Sequence, residues 1–377
     1  MEKQESEIRK LAFQKMTSST NSIQQATWRK LKKNKAAVFG IFIIFVAVVL
    51  AIFAYLIAPD ASPNANRMIV EIGGQKPGSR QMYLKEKKEG PVLPVNFLER
   101  LLYGQEESFH FIPVNGYKVN NDSVYVEKYI DEGVQETRVL PMNTFKEPIQ
   151  HYFVIKTSWL GTDKYGRDIL SRLIVGIRVS LSVGLIAIII SLTIGIALGA
   201  IAGYFRGWID DVIMWLINII WSIPTLLLVF AITLLLGKGF WQVFIAVGLT
   251  MWVSVARIVR GQVLSVRELE YVEAARALGF SNGRIIFRHI LPNILGPVLV
   301  VAASNFASAI VIEAGLSFLG VGVQPPQPSW GLMIKENYNF IITHNPMLAL
   351  APGFAIMLLV LAFNLLGNGL RDALNVK

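Results

Sequence analysis

The sequence lacks cysteine and has few charged residues for its length. None of its 377 residues is a cysteine, which excludes disulfides, zinc–thiolate sites and iron–sulfur clusters. Only 16% of the residues are charged, against about 25% in soluble globular proteins, whereas 53% are hydrophobic. The hydrophobic residues come in blocks of about twenty, the length that crosses a membrane. Together these features exclude a soluble enzyme, a disordered chain and a fibrous repeat.

The sequence also lacks the motifs of a catalytic chain. It contains no Gly-x-x-x-x-Gly-Lys-Ser/Thr motif, so it cannot bind and hydrolyse ATP through a phosphate-binding loop. Its four histidines, His110, His151, His289 and His344, show no metal-ligand spacing. No candidate catalytic nucleophile occurs in a recognisable motif with a general base. We therefore expect a non-catalytic chain that holds no metal and no cofactor of its own.

Six apolar blocks account for the hydrophobic surplus and predict an all-α polytopic membrane protein with six transmembrane helices. The blocks are Ala36–Ala58, Val179–Tyr204, Val212–Leu236, Phe240–Ile258, Ile294–Val321 and Met347–Gly367. A signal peptide is an alternative interpretation of the first block. That block is too long for a signal-peptide core and no cleavage site follows it, so we interpret it as the first span.

The distribution of basic residues predicts the orientation of the spans. The N-terminal tail, residues 1–35, ends in a lysine-rich cluster, and the short loops and the tail assigned to the same side carry nine further basic residues. These are Arg206, Arg257, Arg260, Arg267, Arg276, Arg284, Arg288, Arg371 and Lys377. Short loops on the other side carry only Lys238 and Lys335. The positive-inside rule then places both termini in the cytoplasm of a bacterial cell membrane, and the net charge of +10 reports topology rather than nucleic-acid binding.

A polar segment, residues 59–158, separates the first span from residues 159–377, which contain the other five predicted spans. Its patterns predict strands at Ser123–Ile130 and His151–Lys156, and partial disorder near Gln75–Gly90. We expect a small β-rich or α+β insert on the outer face. Either the insert has no function of its own, or it is a docking surface for the component that delivers the substrate.

An amphipathic pattern follows the insert. Thr162 or Asp163 is a suitable helix N-cap, and apolar residues at helical spacing follow from Ile169. This predicts a separate helix that lies at the outer membrane interface before the second span.

The loop at residues 265–293 is the most informative segment. Apolar residues recur at every third position from Val266 to Leu278, which predicts a helix, and Gly279 fits the left-handed position that closes it. Ser281 or Asn282 caps a second short helix that Pro292 ends. The prediction is a helix–turn–helix elbow in the cytoplasm, with small residues at Ala274 and Ala275 that let a partner approach closely.

Residues of this elbow resemble a known motif. Glu273-Ala274-Ala275, then Gly279, then Ile290-Leu291-Pro292 resembles the EAA loop of permease subunits in bacterial ABC importers, although His289 stands where that pattern has an apolar residue. Further blocks resemble the C-type permease subunit of the dipeptide and oligopeptide branch. They are Gly161-Thr-Asp-x-x-Gly-Arg-Asp168, Gly203-Tyr-Phe-Arg-Gly-Trp-Ile-Asp-Asp211, Ser317-Phe-Leu-Gly-Val-Gly-Val-Gln-Pro-Pro326 and Asn364-Leu-Leu-Gly-Asn-Gly-Leu-Arg-Asp372. The resemblance covers the chain except residues 61 to about 156.

The resemblance implies a function and a set of partners. The elbow would be a coupling helix seated in a groove of an ATP-hydrolysing subunit, and its candidate coupling residues are Glu273, Ala274, Ala275, Arg276, Leu278, Gly279, Phe280 and Ser281. The implied partners are a homologous B-type permease subunit forming a heterodimer, two cytoplasmic ATPase subunits that bind ATP and Mg, and an external substrate-binding protein. The implied substrate is a peptide. A nickel-chelate or other small-solute importer remains an alternative, as does a secondary transporter.

Polar residues within the spans are candidates for the translocation path: Glu313, Asn305 and Ser308. A carboxylate facing lipid costs about 2.5–3.5 kcal/mol or more, so Glu313 should face protein or a water-filled path. We favour a structural role for Glu313, hydrogen-bonded to a neighbouring helix, over a role in transport. Pro224, Pro297 and Pro352 are expected to bend their spans.

Overall fold

The structure, a computed structural model, describes residues 27–90, 92, 95–343 and 345–374. It combines a bundle of long helices with one small sheet. Most of the predicted N-terminal tail, residues 1–26, lies outside the described residues, as do His344 and Lys377.

Most of the long helices follow the predicted apolar blocks. In chain order the helices are α1 (Lys35–Ile52), α2 (Ala54–Ile57), α3 (Phe97–Tyr103), α4 (Ile169–Phe205), α5 (Gly207–Ser222), α6 (Thr225–Leu236), α7 (Phe240–Arg267), α8 (Glu270–Ala277), α9 (Asn282–Ile285), α10 (Leu295–Leu319), α11 (Trp330–Asn337), α12 (Phe340–Thr343) and α13 (Met347–Leu374). Within the described ranges, five stretches are long and apolar enough to cross a membrane: α1, α4, α7, the helical stretch Asn282–Leu319 and α13. The chain is therefore mostly helical and membrane-embedded.

The third predicted span is broken. α5 and α6 together pass as one apolar stretch, but they meet at 93°, so this pair makes a sixth span only if the bent pair is counted as one. The bend lies where Ile223 is extended, with φ −94° and ψ 129°, immediately before Pro224. Proline lacks an N–H and disfavours the helical conformation in the residue before it, which confirms the predicted bend here. Pro297, by contrast, lies in the first turn of α10, and Pro352 lies inside α13, which remains one helix.

The prediction of a separate interfacial helix before the second span is wrong. α4 begins at Ile169 with Asp168 as its N-cap, whose carboxylate accepts a hydrogen bond from the Ser171 N–H at 2.7 Å, and it continues for 37 residues. Thr162 and Asp163 cap no helix because neighbouring loop groups occupy their side chains. The Thr162 hydroxyl donates to the Ile72 carbonyl at 2.5 Å, and Asp163 accepts from two backbone N–H groups of its own turn.

Close approach of α4 and α7 depends on three glycines spaced one helical turn apart. A Cβ at Gly195 would lie 2.5 Å from the Val255 Cβ, and one at Gly199 would lie 2.5 Å from the Ala256 carbonyl oxygen. Gly203 is equally close to α7, at 2.8 Å from the carbonyl oxygen of Arg260. Small residues at this spacing let helix backbones pack closely inside a membrane.

The insert contains a five-stranded antiparallel sheet. Its strands are β1 (Ser79–Lys87), β2 (Phe109–Asn120), β3 (Ser123–Asp131), β4 (Val134–Pro141) and β5 (Phe153–Ser158), in the order β4-β3-β2-β1-β5. β3 and β5 confirm the two predicted strands. The expectation of partial disorder near Gln75–Gly90 is wrong for Ser79–Lys87, because β1 pairs with β2 on one side and β5 on the other. One sheet face buries an apolar core around Leu84, Val114, Val124 and Val126.

Candidate functional site

The predicted elbow is present, but its helices have different ends from those expected. α7 continues to Arg267, and a break at residues 268–269 separates it from α8, so the single helix expected from Val266 to Leu278 is two. Pro292 does not end the second half of the elbow. A wide helical turn at Ile286–Ile290 and a tight one at Leu291–Ile294 carry the chain on into α10. Because Pro292 lies at the start of the tight turn, its missing N–H leaves few helical hydrogen bonds unmade.

Gly279 closes α8 as predicted. Its φ is +78°, the Gly279 N–H donates to the Arg276 carbonyl at 3.0 Å, and the Phe280 N–H donates to the Ala275 carbonyl at 3.1 Å. This pair of bonds is a Schellman motif, in which a left-handed residue lets the chain satisfy the last carbonyls of the helix. Ser281 then precedes α9 at the N-cap position in an extended conformation.

α8 has an inner and an outer face. Val272 and Ala275 are buried in a cluster with Val259, Val263 and Ile285, so α8 packs on the end of α7 and on α9. The expectation that both alanines face a partner is therefore wrong for Ala275, because a position three residues after Val272 falls on the same inner face. The outer face presents Glu273, Ala274, Arg276, Gly279 and Ser281. Leu278 beside them is 73% exposed.

The elbow is fixed to the end of α4 as well as to α7. The Tyr204 hydroxyl donates to the Asn282 side-chain oxygen at 2.8 Å, and Arg267 donates to the Tyr204 carbonyl. The Arg276 guanidinium lies 5.8 Å from the centre of the Tyr204 ring, and that of Arg284 lies 4.2 Å from the centre of the Phe280 ring. These contacts join the elbow to two long helices, α4 and α7.

A charged pair near the elbow was not predicted. Arg260 of α7 donates two hydrogen bonds to Asp210 of α5, at 2.5 Å to one carboxylate oxygen and 2.6 Å to the other. Such a two-bond pair fixes orientation as well as distance. Asp210 lies in the block Gly203–Asp211 that resembles the permease family, but the sequence alone does not show which arginine pairs with it.

Two of the three path candidates lie together. Asn305 and Ser308 line a cavity of about 500 Å³ between the bent pair α5–α6, α7, α10 and α13. Asn305 lies 3.4 Å from the Ser254 hydroxyl, and Asn364 contributes a further polar side chain to the lining. The cavity is therefore lined by polar as well as apolar side chains.

Glu313 lies elsewhere, fully buried within protein. One oxygen of its carboxylate accepts hydrogen bonds from the Ser317 and Ser329 hydroxyls, both at 2.7 Å. Its other oxygen has no hydrogen-bond partner among the described residues. Because Ser329 is also the N-cap of α11, Glu313 joins α10 to the start of α11.

The opposite end of α4 carries a buried charge network that was not predicted. Arg167 donates to Asp163 and to Glu336 of α11, both at 2.6 Å, and Arg172 lies 3.6 Å from Glu336. Asp163, Arg167 and Arg172 are almost completely buried. Gly166 completes this turn, because a Cβ there would lie 1.8 Å from the Ile69 carbonyl oxygen. Arg167 also donates to the Asn66 side-chain oxygen at 3.4 Å, so the network fastens the base of the insert to the spans.

Two ionisable groups of the insert base have shifted pKa values. Burial alone would raise the pKa of Asp60, but the Arg67 guanidinium at 2.8 Å and hydrogen bonds from Ser62 and Arg67 outweigh it and hold the pKa below its usual range. Burial, together with the neighbouring positive charge of Arg67, lowers the pKa of Lys156 to about 8. The positive charge of Arg67 therefore contributes to lowering the pKa of both Asp60 and Lys156.

No group of three or more His, Asp or Glu side chains that could hold a metal ion occurs within the described ranges of the chain.

Two family models match the chain. One, described as "Binding-protein-dependent transport system inner membrane component", matches residues 195–377. The other, described as "N-terminal TM domain of oligopeptide transport permease C", matches residues 22–71. Residues 72–194, which include all five strands, lie outside both matches.

Three curated relatives are similar over most of their length. The Dipeptide transport system permease protein DppC of Alkalihalophilus pseudofirmus is 47% identical over 219 residues, which are 58% of this chain and 72% of the relative. The Glutathione transport system permease protein GsiD of Pectobacterium atrosepticum is 42% identical over the same shares. The Oligopeptide transport system permease protein OppC of Bacillus subtilis is 41% identical over 59% of this chain and 72% of the relative.

Proposed function

We propose that this chain, which belongs to the family of binding-protein-dependent transport system inner membrane components, is the C-type permease subunit of an ATP-driven peptide importer. The single observation that carries the proposal is the 47% identity to a dipeptide permease over 72% of that relative. The substrate class is short peptides, since the relatives are named for dipeptides, oligopeptides and glutathione. This shared chemistry favours peptides over nickel chelates.

The elbow is the element through which such a subunit would receive movement. Its outer face, which includes Glu273, Ala274 and Ser281, is exposed and carries Leu278 as an apolar contact, while its inner face is packed on α7 and tied to α4. In our proposal, two cytoplasmic ATPase subunits bind ATP and Mg and seat α8 in a groove. Closure of the ATPase pair then moves α8, and the packed inner face passes the displacement to α4 and α7.

The path would form between this chain and a homologous B-type permease subunit. The cavity that contains Asn305 and Ser308 supplies polar side chains for this chain's half of the path. Glu313, held by two serines inside the protein, has a positioning role at the junction of α10 and α11 in this proposal.

The proposed orientation places both termini and the elbow in the cytoplasm, and the insert outside. Supporting this, the base of the insert contacts α4 at Ser171, through the Asp60 N–H, while the elbow contacts α4 at Tyr204. These contacts lie near opposite ends of a helix about 55 Å long, since 37 residues rise about 1.5 Å each. The insert, residues 59–158, then faces an external substrate-binding protein.

The proposal is tested with the assembled complex in proteoliposomes, by measuring peptide uptake and ATP hydrolysis together. Glu273→Lys reverses a charge on the outer face of α8, and Gly279→Val places a β-branched residue at φ +78°. Both are expected to reduce uptake far more than ATP hydrolysis, because the contact that transmits movement is damaged. Glu132→Lys, an equal charge reversal on an exposed turn of the insert, is the control.

Normal uptake together with normal ATP hydrolysis in both α8 variants would contradict the coupling role. Uptake driven by an ion gradient in the absence of ATP would contradict the assignment to ATP-driven importers and favour a secondary transporter.

A further inference from the structure

The short helix α3 of the insert exposes an unusual amount of apolar surface. Phe97, Leu98, Leu102 and Tyr103 are between 56% and 69% exposed, and none of the seven residues of α3 is buried. The helix is nevertheless well defined at both ends. Asn96 and Glu99 form a capping box at its start, and Gly104, with φ +78°, ends it. Apolar side chains displayed on a helix with both ends fixed indicate an apolar environment around it.

Arg178 fixes the position of α3 relative to the spans. Its guanidinium donates to the Leu101 and Leu102 carbonyls of α3 at 2.6 and 2.7 Å, and to the Ala51 and Ile52 carbonyls of α1 at 2.6 and 3.0 Å. One cation thus satisfies the free carbonyls at the C-terminal ends of two helices, where a positive charge is favoured. The last turns of α3 and α1 therefore lie side by side.

The length of α1 indicates the depth at which α3 lies in the membrane. α1 has 18 residues from Lys35 to Ile52, so it is about 27 Å long, close to the hydrocarbon thickness of about 30 Å. Its start adjoins the basic cluster of the N-terminal tail, which marks one membrane surface. The other end of α1, and with it α3, then lies at the opposite boundary between lipid tails and headgroups.

The surroundings of α3 have matching chemistry. Ile52 and Ile57, at the same end of the first span, are about half exposed, so apolar surface continues from the span onto α3. Beside α3 lies a groove of about 720 Å³ whose lining includes Leu102, Val175 and Phe240. Tyr103 adds an aromatic ring with a polar tip, the type of side chain enriched at membrane interfaces.

We propose that α3 is an interfacial helix whose apolar side chains insert among the lipid tails just below the headgroups and hold the insert against the membrane. The binding partner is the lipid surface. A protein surface would bury one side of a helix, whereas lipid can contact the apolar side chains on more than one side of α3, with the exposed charges of Glu99 and Arg100 directed to the headgroups. The inference rests on α1 being a span, and only the choice of the outer leaflet rests on the proposed function.

The absence of native cysteine provides a direct test. Single cysteines at Phe97 and Leu98 would carry a fluorescent label in the complete complex, reconstituted in nanodiscs with lipids brominated at known positions along the acyl chain. Phe42→Cys, exposed in the middle of α1, is the control for a lipid-facing site. Val139→Cys, exposed on β4, is the control for a water-facing site, and the complex with the unaltered chain gives the background from partner cysteines.

The expected result is loss of fluorescence at positions 97 and 98 with lipids brominated near the headgroup, and less loss with deeper bromines. Phe42→Cys should show the opposite order. Quenching by a water-soluble quencher, as at position 139, would overturn the proposal because α3 would then lie in water. Protection from both quenchers would also overturn it, because α3 would then be covered by a protein subunit. Peptide uptake is measured separately, so a failure of the proposed function is recognised independently of the depth of α3.

Discussion

The two ends of α4 are held in different ways. At the Ile169 end, Arg167 lies in a buried network with Asp163 and Glu336, and the adjoining turn has no room for a side chain at Gly166. At the Phe205 end, α4 contacts the elbow through Tyr204 and through an exposed ion pair between Arg206 and Glu268. The charged side chains at the Ile169 end are therefore buried, whereas those at the Phe205 end are exposed to solvent.

This difference suits the Ile169 end to holding the insert in place and the Phe205 end, with the elbow, to contacting another protein. The hydrogen bonds of Arg167 join Asn66, at the base of the insert, to Glu336 of α11, so the buried network fixes the insert to the spans. The elbow keeps only one face for its own core and leaves the other, including Leu278, exposed. Substitutions at the two ends should therefore differ in kind: those at the Ile169 end should affect stability, and those at the elbow should affect coupling.

The largest effect is expected from breaking the buried network. Arg167→Ala leaves the Asp163 carboxylate without its ion-pair partner and leaves Glu336 only Arg172, at 3.6 Å, and removing one member of a buried ion pair costs about 3–5 kcal/mol. The apparent melting temperature of the purified complex should fall sharply. Arg138→Ala, which removes an exposed pair with Glu86, should cost about 0–1 kcal/mol. Equal melting temperatures for the two variants would show that the network does not fasten the insert.

Two glycines provide a matched comparison of the ends. Gly166 and Gly279 have φ of +74° and +78°, so alanine at either position meets backbone strain of about 1–2 kcal/mol. Only at Gly166 does the added Cβ also collide with a backbone oxygen, whereas no atom lies within 4 Å of it at Gly279. Gly166→Ala should therefore destabilise the complex more in thermal unfolding. A larger loss for Gly279→Ala would mean that the elbow, rather than the insert base, limits stability.

The smallest effect is a pH dependence confined to the insert base. Because the pKa of Lys156 is about 8 in the folded chain and about 10.5 when unfolded, the unfolded chain binds more protons between these values. Stability should therefore rise as the pH increases from about 8 to 10.5. Water screens the effect, since 37% of the side chain is exposed, so the rise in melting temperature is small. Lys156→Met should remove that part of the rise, and an unchanged pH profile in this variant would contradict the assignment.

Local patterns predicted much of the elbow and the spans. Gly279 was identified because few residues other than glycine adopt a left-handed conformation after a helix, and the bend at Pro224 because proline lacks an N–H. β3 and β5 were identified from short apolar and β-branched runs. β1, a strand with four charged residues among nine, has no such pattern, and only its pairing with β2 and β5 makes it an inner strand.

The sequence by itself determined the class of the protein: apolar blocks of membrane length, a glycine-closed elbow and a set of motifs typical of one permease family. Only the tertiary structure decided which charged groups meet. The separations in sequence are long, 50 residues between Asp210 and Arg260 and 169 between Arg167 and Glu336. Helical periodicity is a property of neighbouring residues, whereas these pairs depend on how α5, α7 and α11 pack. The same holds for α3, whose place at the membrane boundary follows from four carbonyls that Arg178 brings together.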